Sequence, residues 1–151
     1  MTDSEVRIAI KAIIAAAADG AVIYPWNALS HNLADWPGLF GSSPGSRHGW
    51  IIKRASIESE WKNGVRDRQT WNYDLWGFYS FRTGKEGDNS DDEFAEIIDS
   101  IKTGFTAAPR LAIDDEVEKH EQLQVASIST IDCGEETLHI AQCKLKVRLC
   151  C

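Results

Sequence analysis

Four histidines, four cysteines and the Glu58/Glu60 pair are the groups from which this 151-residue chain could build a reactive centre. His31 and His48 both belong to a loop-like stretch from 28 to 48, and His48 adjoins Arg47 and stands two residues before Trp50. Imidazole is the natural proton shuttle near neutral pH. Yet spacing suggests no carboxylate or thiol partner for either ring, so both read as surface or hydrogen-bonded histidines. His120 lies among Glu118, Lys119 and Glu121, which predicts an exposed, charged surrounding. His139 shares one side of a predicted strand with Cys143, the pattern of a packed strand histidine. Glu58 and Glu60 fall on one face of another strand; such a pair can divide acid and base roles, and on a wet face it is solvated charge. Cys133, His139 and Cys143 offer three donors, but no CxxC spacing accompanies them, so a turn thiol and a strand thiol are expected rather than a metal site. The run Gly41-Ser-Ser-Pro-Gly-Ser46 has the glycines of a phosphate loop without its Lys-Ser/Thr ending, and it does not open a helix. The letters GxSxG fall only at Gly41–Gly45, within this loop and not in a strand-to-helix elbow, and HExxH does not occur. No catalytic residue, cofactor site or metal site is assigned.

The bulk properties narrow the classes further. Apolar residues make up 43% and charged residues 26%, enough for a core and too ordered a mix for a disordered chain. One domain over residues 1–151 is expected, with 149–151 as an extended tail. The net charge of −7 opposes broad binding to a nucleic-acid backbone, which needs clustered Lys and Arg. The six tryptophans (Trp26, Trp36, Trp50, Trp61, Trp71, Trp76) are therefore assigned to core and interface rather than to base stacking. The alanine-rich run Ile8 to Ala18 is short, interrupted by Lys11 and unlike a signal peptide, and no run is long enough to span a bilayer, so a cytoplasmic compartment is expected. The adjacent pair Cys150-Cys151 cannot close on itself easily, and it reads either as an intersubunit cross-link or as a frayed tail.

Periodicity supplies the elements that must position these groups. Val6, Ile10, Ile13, Ile14 and Ala17 mark a first helix, capped by Asp3 or Ser4 and stopped at Asp19-Gly20. Ala21 to Asn27 is a short edge strand limited by Pro25. Residues 28–48 are a long loop, and the Gly/Pro-rich run from Trp36 onward is expected to hold no regular element. Its Trp36, Leu39 and Phe40 either fold back or meet a neighbour. Trp50–Trp61 and Gln69–Phe81 form a hairpin around Asn63-Gly64, with Ile51, Ala55, Ile57 and Trp61 on one side of its first strand. The second strand has apolar residues on both faces near Trp76, as a central strand would. Ser90 to Phe105 is an amphipathic helix, with Ser90 and Glu93 as a capping box, Phe94, Ile97, Ile98, Ile101 and Phe105 on one stripe, and Gly104 and Pro109 near its end. A closing hairpin turns at Cys133-Gly134-Glu135. Its last strand alternates Ala141, Cys143, Leu145, Val147 and Leu149 with Gln142, Lys144, Lys146 and Arg148. The fold class is α+β: a mostly antiparallel sheet covered by two helices, with long hairpins and a long Gly/Pro loop.

This plan, from leading helix to the closing "LHIAQCKLKVRL", resembles that of the tail-terminator and tail-completion (neck) proteins of long-tailed bacteriophages. The resemblance lies in architecture and pattern and has no signature motif; the Gly/Pro loop at 37–49 and the Cys-Cys ending are not required by that family. It implies a structural virion protein and no enzyme: a homohexameric ring that caps the tail tube and joins it to the neck. Its partners would be identical copies, the tail-tube protein, a sheath terminator and neck or head-completion proteins. DNA would pass the lumen without specific binding, no membrane would be involved, and assembly would take place in the host cytoplasm. Trp36, Leu39, Phe40, Val65, Arg66, Cys150 and Cys151 are the expected contact residues. The alternatives are a head-tail connector of the neck, a small cytosolic enzyme or ligand-binding domain with a pocket under the 28–48 loop, and an adaptor or immunity module.

Overall fold

A computed structural model describes residues 2–62, 66–82, 89–109, 111 and 117–149, with the side chains of 60–62, 66–68 and 117–119 left aside. The architecture is α+β. Helix α1 (Asp3–Ala17) is followed by β1 (Val22–Tyr24), a 3-10 turn at Leu33–Asp35 and the short helix α2 (Trp36–Leu39). Then come β2 (His48–Lys62), β3 (Arg66–Ser80), α3 (Ser90–Ala107), β4 (Val117–His120), β5 (Gln124–Cys133) and β6 (Glu136–Leu149). The six strands form one sheet in the order β1-β2-β3-β6-β4, with β5 also paired to β6. All pairings are antiparallel except that of β1 with β2.

Helices α1 and α3 lie on one face of the sheet. Val6, Ile10 and Ile14 of α1 and Phe94, Ile98, Ile101 and Phe105 of α3 meet Trp50, Ile52, Tyr73, Leu75, Cys143, Leu145 and Val147 in the main core. The alternation of β6 is as expected: Ala141, Cys143, Leu145, Val147 and Leu149 are buried and the residues between them exposed. On the opposite face a smaller core gathers Phe40, Ile51, Phe78, Cys133 and Leu138. Strand β3 is thus covered on both sides where its sequence is apolar on both sides.

Several local expectations are corrected. α1 is capped by Thr2, whose hydroxyl accepts from Glu5 N while Glu5 answers the Thr2 N–H, so the capping box sits one step before Asp3. α3 is capped by Asn89, not Ser90; Asn89 Oδ1 accepts from Asp91 N, which frees the Ser90 hydroxyl to point inward. Gly104 does not end α3. It lies inside the helix where α1 crosses, and a Cβ there would stand 3.4 Å from Ile13 Cγ2. The 36–49 run does hold a regular element, since Pro37 is suited to the first turn of α2 and lacks only an N–H that a helix start leaves unused. In β2 a bulge at Ala55 moves the register between Arg54 and Ser56. The extra residue shifts the alternation, so Ile51 faces the small core while Ile57, opposite Trp71, faces the helical side.

Candidate functional site

The long loop folds back onto the sheet. Asn32 Oδ1 accepts from Ala34 N to start the 3-10 turn, and α2 then carries the chain across the outer face. Phe40 stacks on Phe78 with ring centroids 4.6 Å apart, and Trp36 sets its edge against the same ring at 5.8 Å. Trp36 Nε1 donates to Ser30 O at 2.8 Å, and the Tyr24 hydroxyl donates to Leu39 O at 2.9 Å. Arg47 ties the far end of the loop to Glu136 and to the Gly41 carbonyl. Of the expected contact residues, Phe40 is corrected: it is buried in the chain's own smaller core. Its phenyl fits because Gly49 lies beneath it, where any Cβ would fall about 2.0 Å from the ring. Trp36 and Leu39 are half-buried beside it. Arg66 opens β3 opposite Lys62, with its side chain outside the description, and Val65, Cys150 and Cys151 lie outside the described residues altogether.

The other chemically dense region is the end of the sheet beneath the start of α3. His48, Tyr79 and His139 are direct cross-strand neighbours on β2, β3 and β6. His48 Nε2 accepts from Trp50 Nε1 at 3.1 Å, and its ring meets Tyr79 edge-on. Burial pulls the His48 pKa down to about 4, because a charged ring there would lose its water. Tyr79 stacks on Phe94 and donates to Glu93 Oε2 at 2.9 Å, a carboxylate that Arg82 also pairs. Burial, and then that carboxylate, push the Tyr79 hydroxyl up.

His139 Nε2 stands 2.8 Å from Ser90 Oγ, and its Nδ1 stands 3.3 Å from Asp91 Oδ1. A serine, an imidazole and a carboxylate in that order are the parts of a nucleophile, its base and its orienting group. The sequence held no sign of it, since 49 positions separate Ser90 from His139. Here the hydroxyl is closed off. Ser90 is 1% exposed, accepts from Arg82 N at 2.9 Å and lies 3.0 Å from Arg82 O. No face of the oxygen is left for an electrophile, and the arrangement instead fastens the first turn of α3 to the end of β3 and to β6. Burial lowers the His139 pKa while Asp91 opposes that, so the ring is held neutral and a ready partner for the hydroxyl. Ser90→Ala should destabilise the fold by about 2 kcal/mol, the cost of leaving the Arg82 amide and His139 without their shared partner. Urea denaturation reads this directly, and an unchanged midpoint would contradict the fastening role.

His120 departs from expectation. It is 5% exposed, not part of an open charged surface. Strand β4, which periodicity did not reveal, turns the ring inward, where Nε2 lies 2.7 Å from Phe105 O and 2.8 Å from Ala108 O. Nδ1 is 2.7 Å from Glu121 O. The imidazole therefore closes the carbonyl end of α3, which an α-helix always leaves short of donors. A cavity of about 610 Å³ adjoins it, lined by Thr106, Pro109, His120, Glu121, Gln122 and Arg148. A second, of about 260 Å³, lies over Ser56, Asn72, Asp74, Lys144 and Lys146 on the polar outer face.

The three donors Cys133, His139 and Cys143 are not brought together. Cys133 is in the small outer core, whereas Cys143 and His139 face the helices. Burial pushes the Cys143 thiol up to about 12 and raises Cys133 as well, which makes both poor nucleophiles. Among the described residues, no three His, Cys, Asp or Glu side chains are grouped to hold a metal ion. No protein-family model matches the sequence, and a search of curated proteins returns no match.

Proposed function

We propose that this chain is the repeating subunit of a ring in the tail or neck of a long-tailed bacteriophage, a tail terminator that caps the tube and meets the neck. The observation that carries the reading is a sheet built to be continued. On its long β2–β3 hairpin, Ile57 is 46% exposed although it lies directly across from the buried Trp71. The element order supports the same reading: a leading helix, an aromatic hairpin, one amphipathic helix and a closing hairpin that ends in an alternating strand. The acidic balance of −7 suits a wall that DNA slides past rather than adheres to.

Trp36 and Leu39, half-exposed beside the small core, and the open Trp26 form the apolar part of the surface offered to neighbours. Identical copies, the tube protein and a neck protein are the partners in this reading. An enzyme has one observation on its side, the Ser90–His139–Asp91 geometry, and the enclosed hydroxyl speaks against it. The purified chain should give a six-copy mass by light scattering and annular particles in negative stain. A particle that stays at the mass of one chain at high concentration, and adds nothing to open tail tubes, would remove the ring reading.

A further inference from the structure

The sheet has three edges, and the chain treats them differently. Exposed strand edges present unpaired amides and carbonyls to any other strand, and proteins blunt them by shortness, charge, proline or bulges. β1 is three residues long and is followed by Pro25. β4 is four residues long and carries Glu118 and Lys119. β5 is ten residues long, and from Gln124 to Ile131 it contains neither a charge nor a proline. A bulge between Val125 and Ser127 is its one blunting device. It pairs with β6 on one side, the 3-10 turn packs against its hairpin end and Gly134, and among the described residues no strand pairs its other side. At the other side of the sheet β1 covers β2 only from Gly49 to Ile51, so among the described residues the rest of the β2 edge is unpaired as well.

We infer that the open edge of β5 takes the open edge of β2 from a second copy of this chain, head to tail. This deepens the ring reading and rests on it for closure. Three features favour this occupant. First, the sense is right: β2 and β6 run one way and β3 and β5 the other. A neighbour related by rotation about an axis along the strands therefore presents its β2 antiparallel to β5. Second, the charges are compatible. The open part of β2 carries Lys53, Arg54, Glu58, Glu60 and Lys62, and these would meet a strand uncharged from Gln124 to Ile131, so no like charges are opposed there. Third, each open edge carries one exposed isoleucine, Ile57 on β2 and Ile128 on β5, which are 46% and 52% exposed. Their cross-strand partners are Trp71 and Ala141, both members of the main core, so both isoleucines face the helical side of the sheet. Pairing β5 with β2 of the next copy puts the two on one face, where they cover each other. A two-fold β5–β5 pair would leave both β2 edges and both Ile57 side chains bare; head-to-tail pairing uses every open edge once, and a closed ring has none left.

The test uses two surface substitutions, Ile57→Lys and Ile128→Lys, in the full chain, with circular dichroism and thermal melts as the check that each variant folds. Light scattering should show each variant alone dissociating at roughly tenfold higher concentration than the wild type or more, since a lysine replaces one half of an apolar pair. Mixed one to one, the variants should form a particle of two chains and grow no further. The intact β5 edge comes from one variant and the intact β2 edge from the other, and the remaining pair of edges is spoiled on both sides. If either variant fails the folding check, Ser59→Pro on β2 and Ser129→Pro on β5 replace it. A wild-type ring that survives all these changes overturns the pairing and leaves the ring reading standing. A wild type that never assembles overturns both. An Ile57→Lys variant that dimerises as the wild type does would establish the two-fold pair in place of the head-to-tail one.

Discussion

Gly77→Ala should lower stability by about 3 kcal/mol, and Gly77→Val should prevent recovery of the native fold, because overpacking a rigid core is costly and grows with each added methyl. Gly77 sits in the middle of β3, directly between Trp50 on β2 and Ala141 on β6. The Trp50 indole lies across this row, and a Cβ on Gly77 would stand 2.5 Å from its Cη2. The ring cannot swing away. It is fully buried, it packs against Phe94 of α3, and its Nε1 is bound to His48. A glycine in a central strand normally weakens it, so here the lost strand propensity is exchanged for the contact area of a tryptophan lying flat on the sheet. The cause can be isolated by a double-mutant cycle. In a Trp50→Leu background, itself destabilised, Gly77→Ala should lose most of its effect, since the atoms it strikes are gone. Equal penalties in both backgrounds, by urea denaturation, would place the strain elsewhere.

Acidification should weaken the fold in a window set by His48. The folded ring has its pKa pulled to about 4 by burial, against 6.5 in the unfolded chain. Between these values the unfolded state holds more protons than the native state, so stability rises with pH there. It is complete above pH 6.5, is lost as the pH falls, and levels off below the folded value. A displacement of that size corresponds to about 3 kcal/mol in total, of which about 2 should be gone by pH 5. His139, lowered in the same direction, steepens the fall. His48→Gln keeps an acceptor for Trp50 Nε1 but does not titrate. Its stability should change less than that of the wild type between pH 7 and 5. Parallel curves for the two proteins would show that His48 is not the group responsible.

How far these features could be read from sequence depends on their range. The alternation of β6, the stripe of α3 and the double-sided apolar pattern of β3 arise from local spacing, and they are found where spacing put them. The β2 bulge was hidden because an extra residue leaves no mark in composition, yet it sends Ile51 and Ile57 to opposite faces. Ser90 fits the local rule for a helix cap as well as Asn89 does. What decides between them is His139 on a distant strand, which claims the Ser90 hydroxyl. The same holds for His120, whose neighbours in sequence are charged and whose neighbours in space are the last carbonyls of α3. Spacing leaves open whether Trp36, Leu39 and Phe40 fold back or meet a neighbour, and the place where Phe40 lands, over Gly49 and Phe78, is a property of the folded sheet.

The position of β6 governs the order in which the molecule can form. It pairs with β3 on one side and with β4 and β5 on the other, so three strands depend on it for hydrogen bonds. It is also the last of the six to leave the ribosome. Until then the β2–β3 hairpin has no third strand, and Trp71, Tyr73 and Leu75 wait in an unfinished sheet while the chain grows. Contacts this distant in sequence close slowly, because a long loop must be gathered before they repay it. The nascent protein therefore has a vulnerable interval that ends with a single event, the docking of one strand.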